Sequence, residues 1–301
     1  FVPVLSLNLS GLEKNPGFHL TVGFLRKAIF AVFYGDLLMN VSNQTRPYEL
    51  TAGDTDKAIE ECMDFLLDEF NRGRGMNHKS MLANFQKIIE RFKAIPISGE
   101  QKVRVGVVGE IYVKYSPLGN NNLEQFLLSE GAEPVVPGLA DFVIFKIYNR
   151  DVDVDIYGGL WAKQALCRVF AGYIKKKQRA MIETIKADGR FRAPGDFDEL
   201  HHYIKGYLGD GNKMGEGWLL TAEMLELIHT GVPNIVCTQP FGCLPNHIVG
   251  KGMIRKLKDD YPNSNIVAID YDPGATKINQ ENRIKLMLAN AKTLAKEAVS
   301  V

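Results

Sequence analysis

Apolar and polar positions alternate over residues 3–9, PVLSLNL, with the two-residue period of a half-buried strand. A turn built on Gly11, Asn15, Pro16 and Gly17 follows. Apolar residues then recur at helical spacing over about 21–41, 54–71 and 79–93. Asp54 and Asp56 suit the start of the second helix, where carboxylates accept from N–H groups that lack an intrahelical partner. Arg72 to Gly75 separates the last two helices, and Pro96 to Gly99 closes the helical section. That closure is the expected boundary between a strand-plus-helix segment over 1–98, continuing a preceding lobe, and an α/β lobe over 99–301.

After residue 102 the period changes. Val103, Val105, Val107 and Val108 form a β-branched run ending at Gly109 and Glu110. A polar loop over 115–122 leads to a helix over 123–129, which Gly131 ends, and to a strand over 132–136. Strand, loop, helix, strand is the order of a parallel βαβ crossover. Residues 141–148 fit either a third strand or a helix. Helices are expected over 159–187 and 197–208, within a helical insertion at about 150–215, and over 218–229. Strands are expected over 234–238 and 266–270, with a helix to about 259 between them and a final helix from about 279. The class this predicts is α/β, an open, mostly parallel sheet covered by helices, with helical additions. Sites in such sheets form beyond the carboxyl ends of the strands, which singles out the loops 109–122, 238–247 and 270–276.

Composition narrows the partners. The 301 residues include 36 basic and 35 acidic side chains, a formal net charge of +1, so the lysine and arginine surplus of a general nucleic-acid binder is missing. The basic run Lys175, Lys176, Lys177 and Arg179 reads as a solvated helix face. No stretch of 18 apolar residues could cross a bilayer. The four cysteines, Cys62, Cys167, Cys237 and Cys243, form no secreted disulfide framework and no paired CxxC, so a reducing, cytoplasmic setting is expected. The chain opens at Phe1 directly in a strand-like run and reads as part of a longer polypeptide.

Candidate chemistry sits in the post-strand loops. Cys243 lies in PFGCLPNH, a segment stiffened by Pro240 and Pro245 and thinned by Gly242; its thiolate could face the crevice and bind a soft metal, or the segment could be a structural loop with a free cysteine. Cys237 lies along a buried strand and is the weaker metal candidate, while Cys62 and Cys167 read as core filling. The loop GEIYVKYSPLGNNN has neither the GxxxxGK[ST] nor the GxGxxG spacing. Its candidate substrate- or anion-binding residues are Glu110, Tyr112, Ser116 and Asn121, with Glu110 at the strand end the sharpest. Asp270 and Asp272 flank Tyr271 in a turn and suit capping more than cation binding.

Four blocks carry a family resemblance: SLNLSGLEKNPGF (6–18), VGVVGEIYVKYSPLGNNNLEQFLLSEGAE (105–133), GVPNIVCTQPFGCLPNHIVGKGMI (231–254) and NIVAIDYDPGATKINQENRIKLML (265–288). The chain resembles the C-terminal part of CoA-substrate-specific enzyme activases, the activators of 2-hydroxyglutaryl-CoA dehydratase, in the portion related to the dehydratase D-component. Residues 142–213 carry less of the likeness. The resemblance implies tandem α/β lobes holding a [4Fe–4S] cluster on cysteines from both. An ATPase activase portion would feed that cluster one electron at low potential, for a lyase acting on a 2-hydroxyacyl-CoA or for an ATP-dependent reductase component. It implies Cys243 as a cluster ligand, with the others in the preceding lobe. ATPase motifs and a closing set of cysteines are both missing from these residues, so the fragment alone is expected to be inactive. A non-catalytic module docking the activase, and a metal-free CoA- or nucleotide-binding domain, remain the alternative readings.

Overall fold

The computed structural model describes residues 21–272 and 274–299. The expected strand over 3–9 and the first resemblance block therefore lie outside the described residues. Among those described, four strands make one sheet: β1 (Val103–Gly109), β2 (Ala132–Val135), β3 (Asn234–Gln239) and β4 (Asn265–Asp270). All neighbours are parallel and the order is β2-β1-β3-β4. The α/β class with helical additions is thus what the chain adopts. The register pairs Arg104 with Glu133, Gly109 with Thr238 and Gln239 with Asp270.

Parallel strands covered on both faces read as continuous apolar runs, and β1 and β3 do. Val105, Val107, Val236 and Ile269 pack against α5 (Leu123–Ser129) and α11 (Lys277–Val299) through Leu123, Leu127, Ile284 and Leu288. Val108, Ile235 and Cys237 turn to the other face, toward α9 (Leu219–His229). Gly106 lets α9 approach closely, since a Cβ there would stand 2.5 Å from a Leu227 methyl. Buried from Leu219 to Leu227, α9 lies between the sheet and an outer layer of helices. A helix in that position is expected to be apolar all round, so its Glu223 and Glu226 are conspicuous.

The outer layer comprises α1 (Val22–Asn43), α2 (Asp54–Asn71), α3 (His78–Lys93), α6 (Leu139–Tyr157), α7 (Trp161–Asp188) and α8 (Phe197–Tyr203). Residues 141–148, ambiguous by period, are helical within α6; Asp36 on α1 accepts from the Leu139 and Ala140 N–H groups at 2.8 Å and so caps that helix. One buried cluster joins Phe30 and Phe85 of the first helices to Phe145, Trp218 and Ile235, on both sides of residue 98. Trp218 is enclosed by the rings of Phe145, Phe197 and His201, with centroids 5.0–5.8 Å away.

The helix expected after β3 is not continuous. Asn246–Gly250 forms a π-turn, Lys251–Met253 a 3-10 turn, and only Ile254–Asp260 is α-helical (α10). Three contacts account for the break. Asn246 is engaged by neighbouring loops, Thr221 donates to the Val249 carbonyl oxygen, and Gly250 packs on the Cys237 sulfur. Such side-chain intrusions unwind the regular ladder.

Candidate functional site

With β1 flanked by β2 on one side and β3 on the other, the chain reverses its winding between β1 and β3, and the crevice of an open α/β sheet opens beyond the carboxyl ends of that pair. The Glu110 N–H donates to the Thr238 carbonyl oxygen at 3.0 Å, which fixes the two loop entrances side by side. The first loop is more ordered than its polarity suggests. It contains a short helix, α4 (Ile111–Tyr115), capped by the Glu110 carboxylate accepting from Val113 N at 2.9 Å. Asn120 donates to the Val113 carbonyl oxygen and accepts from Leu123 N, so the start of α5 is occupied by the loop's own amide. Asn121 and Asn122 take left-handed φ values of 55° and 59°, which asparagine tolerates. Asn121 also donates to Gln280 Oε1 at 2.9 Å, tying the loop to α11. Ser116 closes a turn by accepting from Gly119 N, and Tyr112 is exposed.

In the second loop Gly242 takes φ 76° and the Cys243 N–H closes a turn onto Pro240 at 3.3 Å. Cys243 is half-buried. Its sulfur accepts from Asn246 Nδ2 at 3.2 Å, and its carbonyl oxygen accepts from the His247 N–H at 3.0 Å. Phe241, Leu244 and Ile248 are exposed around it. Cys237, by contrast, is fully buried, and desolvation pushes its thiol up to about 12. The third loop joins through Asp270, which accepts from Gln239 Nε2 at 2.5 Å.

Glu216, drawn from the glycine-rich stretch before α9, links the first two loops. It is buried, accepts from Ile111 N at 3.2 Å, and stands 3.4 Å from Asn246 Nδ2. Lys114 carries the connection inward: its ammonium lies 2.8 Å from Glu223 Oε1, and the two side chains are 1% and 2% exposed. Glu216 belongs to no motif, Asn246 lies in PFGCLPNH without standing out as a ligand, and Lys114 looks like a loop lysine, so sequence reasoning passes over all three. The only signal was an acid on an apolar helix. The outcome brings Glu110, Cys243 and, behind it, Cys237 to one end of the sheet, while Asn121 is turned to α11 and Ser116 to its own turn.

A four-iron cluster can be tested against this donor set. Cys243 offers one accessible sulfur with an amide donor beside it, the arrangement that supports a thiolate ligand. Among the described residues no group of three or more His, Cys, Asp or Glu side chains converges as a metal site. A single thiol of this kind could supply one ligand and does not by itself close a cluster.

Buried acids extend from Glu223 through the helical layer. Burial pushes Asp36 up to about 6 and Glu226 up to about 7, and raises Asp141 well above the carboxylate range despite its hydrogen bond from Gln178 at 2.6 Å. Carboxyls with raised values contribute stability at low pH that is lost as pH rises through the folded value. For Glu226 the lost amount is about 3 kcal/mol, at 1.36 kcal/mol per unit between 4.5 and about 7. Glu226→Gln keeps an acceptor for Gly195 N and is expected to be more stable than the parent by roughly that amount at about pH 8, with no gain at about pH 4. Urea unfolding at the two pH values checks this; equal gains at both would show that ionisation of Glu226 is not the cause.

Compared with protein-family models, curated proteins and solved structures, the chain matches none. Among the described residues no helix is long and apolar enough to cross a membrane.

Proposed function

We propose that this chain is an α/β lobe of an iron–sulfur redox protein of the dehydratase-component type, in which Cys243 supplies one thiolate to a cluster shared with a second lobe. The observation that carries the reading is the half-buried Cys243 sulfur at the switch point of the sheet, with Asn246 donating to it. The sequence blocks behind the family resemblance support it, because three of them contain the loops at this end of the sheet. The exposed Phe241, Leu244 and Ile248 offer an apolar surface for the lobe that brings the remaining ligands. When bound, such a cluster supplies one-electron chemistry at low potential. This chain's part is positional. Glu216 and Asn246 hold the cysteine loop against α4, Asn246 polarises the sulfur, and the Lys114–Glu223 pair anchors α4 to α9. The electron donor is an ATP-dependent activase and the substrate class is a CoA thioester.

Protein purified under strict anaerobiosis, in the form in which it occurs in its cells, is expected to carry iron, acid-labile sulfide and a brown chromophore. Cys243→Ser removes these and Cys237→Ser leaves them. An iron-free parent preparation ends the reading, and iron retained by Cys243→Ser removes that residue from the ligand set.

A further inference from the structure

A cavity of about 310 Å³, with a few charged side chains in its wall, lies away from these loops, against the edge strand β2. Its walls are the end of α1, Arg104 near the start of β1, β2 from Glu133 on to Pro137 beyond its end, the 192–194 segment and the last turn of α9. Arg104 and Glu133 are register neighbours at the amino ends of their strands, so their side chains share the α9 face. Two guanidiniums, of Arg104 and Arg192, and the Glu133 carboxylate line the same cavity. Arg192 is ion-paired to Glu133, which is fully buried and also accepts from Tyr48 Oη at 2.6 Å. Arg104 donates only to the Gly231 carbonyl oxygen, at 2.9 Å, and finds no carboxylate of its own among the described residues. Burial and the neighbouring Arg192 both disfavour its charge. A guanidinium stays charged in proteins and presents a planar fork of donors, so an unmatched one in a concave wall is a ready oxyanion receptor.

The same cavity holds Glu226. One of its oxygens accepts from Gly195 N at 2.6 Å; the other accepts from no donor among the described residues, although the side chain is 94% buried, by its 6% exposure. That oxygen is left free to accept from a ligand hydroxyl or ammonium in the cavity. The volume is at the lower end for small-molecule pockets, a metabolite rather than a nucleotide.

The geometry points to a binding site for a small organic anion, whose carboxylate or phosphate sits on Arg104 and Arg192 and whose hydroxyl or ammonium donates to Glu226. The site lies along the edge strand β2 and shares no lining residue with the loops beside Cys243, so its occupant is an effector and not the substrate of that crevice. It stands whether or not Cys243 binds iron.

Calorimetric titration of the protein with L-malate, L-glutamate, glycerol 3-phosphate and succinate tests it. At least one of the first three is expected to bind at millimolar concentration or below; which one decides between carboxylate and phosphate, and between hydroxyl and ammonium. Succinate, which lacks the donor, binds more weakly than malate. Arg104→Gln, which leaves the Arg192–Glu133 pair in place, weakens binding by about tenfold or more, the worth of a charge-assisted hydrogen bond. Glu226→Gln removes the preference for malate over succinate. No binding of any probe up to about 10 mM, or affinities unchanged in both variants, overturns the site.

Discussion

Lys114→Met is expected to destabilise the protein by about 3–5 kcal/mol, the usual cost of removing one member of a buried ion pair. The ammonium is the hydrogen-bonding partner of a Glu223 carboxylate that sits on α9 between the sheet and the outer helices, and the second Glu223 oxygen has no donor even with Lys114 present. Without the lysine, Glu223 must protonate or stay charged and unpaired, and α4 loses its tether to α9. The double variant Lys114→Met/Glu223→Leu is expected to recover most of the loss, because an apolar pair of similar volume often matches or exceeds a buried salt bridge. Urea-unfolding midpoints for the two single variants and the double variant decide it. A single Lys114→Met variant within about 1 kcal/mol of the parent would mean that water reaches the pair.

Gly109→Ala is the other substitution with a large expected effect, a loss of more than about 3 kcal/mol. Gly109 ends β1 at φ 147°, and a Cβ built there would stand 1.9 Å from the Thr238 carbonyl oxygen, the atom that also accepts from Glu110 N. Relief requires the ends of β1 and β3 to part, so α4 and the cysteine loop lose their mutual placement. Gly131→Ala is the informative comparison: its φ is 75° but nothing lies within 4 Å of the added carbon, so only the backbone cost of about 1 kcal/mol applies. Unfolding of the two variants side by side separates the steric collision from the dihedral; equal losses would remove the collision as the cause.

Period and turn chemistry made most of the elements readable. Val103 to Val108, the pair of strands at 234–239 and 265–270, and the amphipathic helices all stand close to where the pattern puts them. The remainder depended on tertiary partners. Residues 141–148 carry both periods, and the capping carboxylate that favours helix there, Asp36, lies about a hundred residues earlier. The break at 246–253 is invisible locally because Thr221 and Cys237 come from other elements. At the candidate site, the loop positions of Glu110 and Cys243 were legible as strand-end residues. Burial of Lys114 was not, since a lysine beside Tyr115 and Ser116 reads as solvated until Glu223 is placed opposite it. The cavity along the edge strand is illegible for a different reason: the rule that directs attention to the crevice at the switch point says nothing about a sheet edge, and Arg104, Arg192 and Glu226 are far apart in the chain.

The strand order also fixes a sequence of events during synthesis. β1 acquires β2 within one crossover, but its partner on the other side, β3, emerges only after α6 through α9. Until Asn234–Gln239 leaves the ribosome, the Val105–Val108 edge has no neighbour to complete its hydrogen-bond ladder, and the long wait for a non-local pairing is what makes parallel sheets slow and prone to wrong association. The helices α6 through α9 therefore all have to be made before that edge finds its native neighbour.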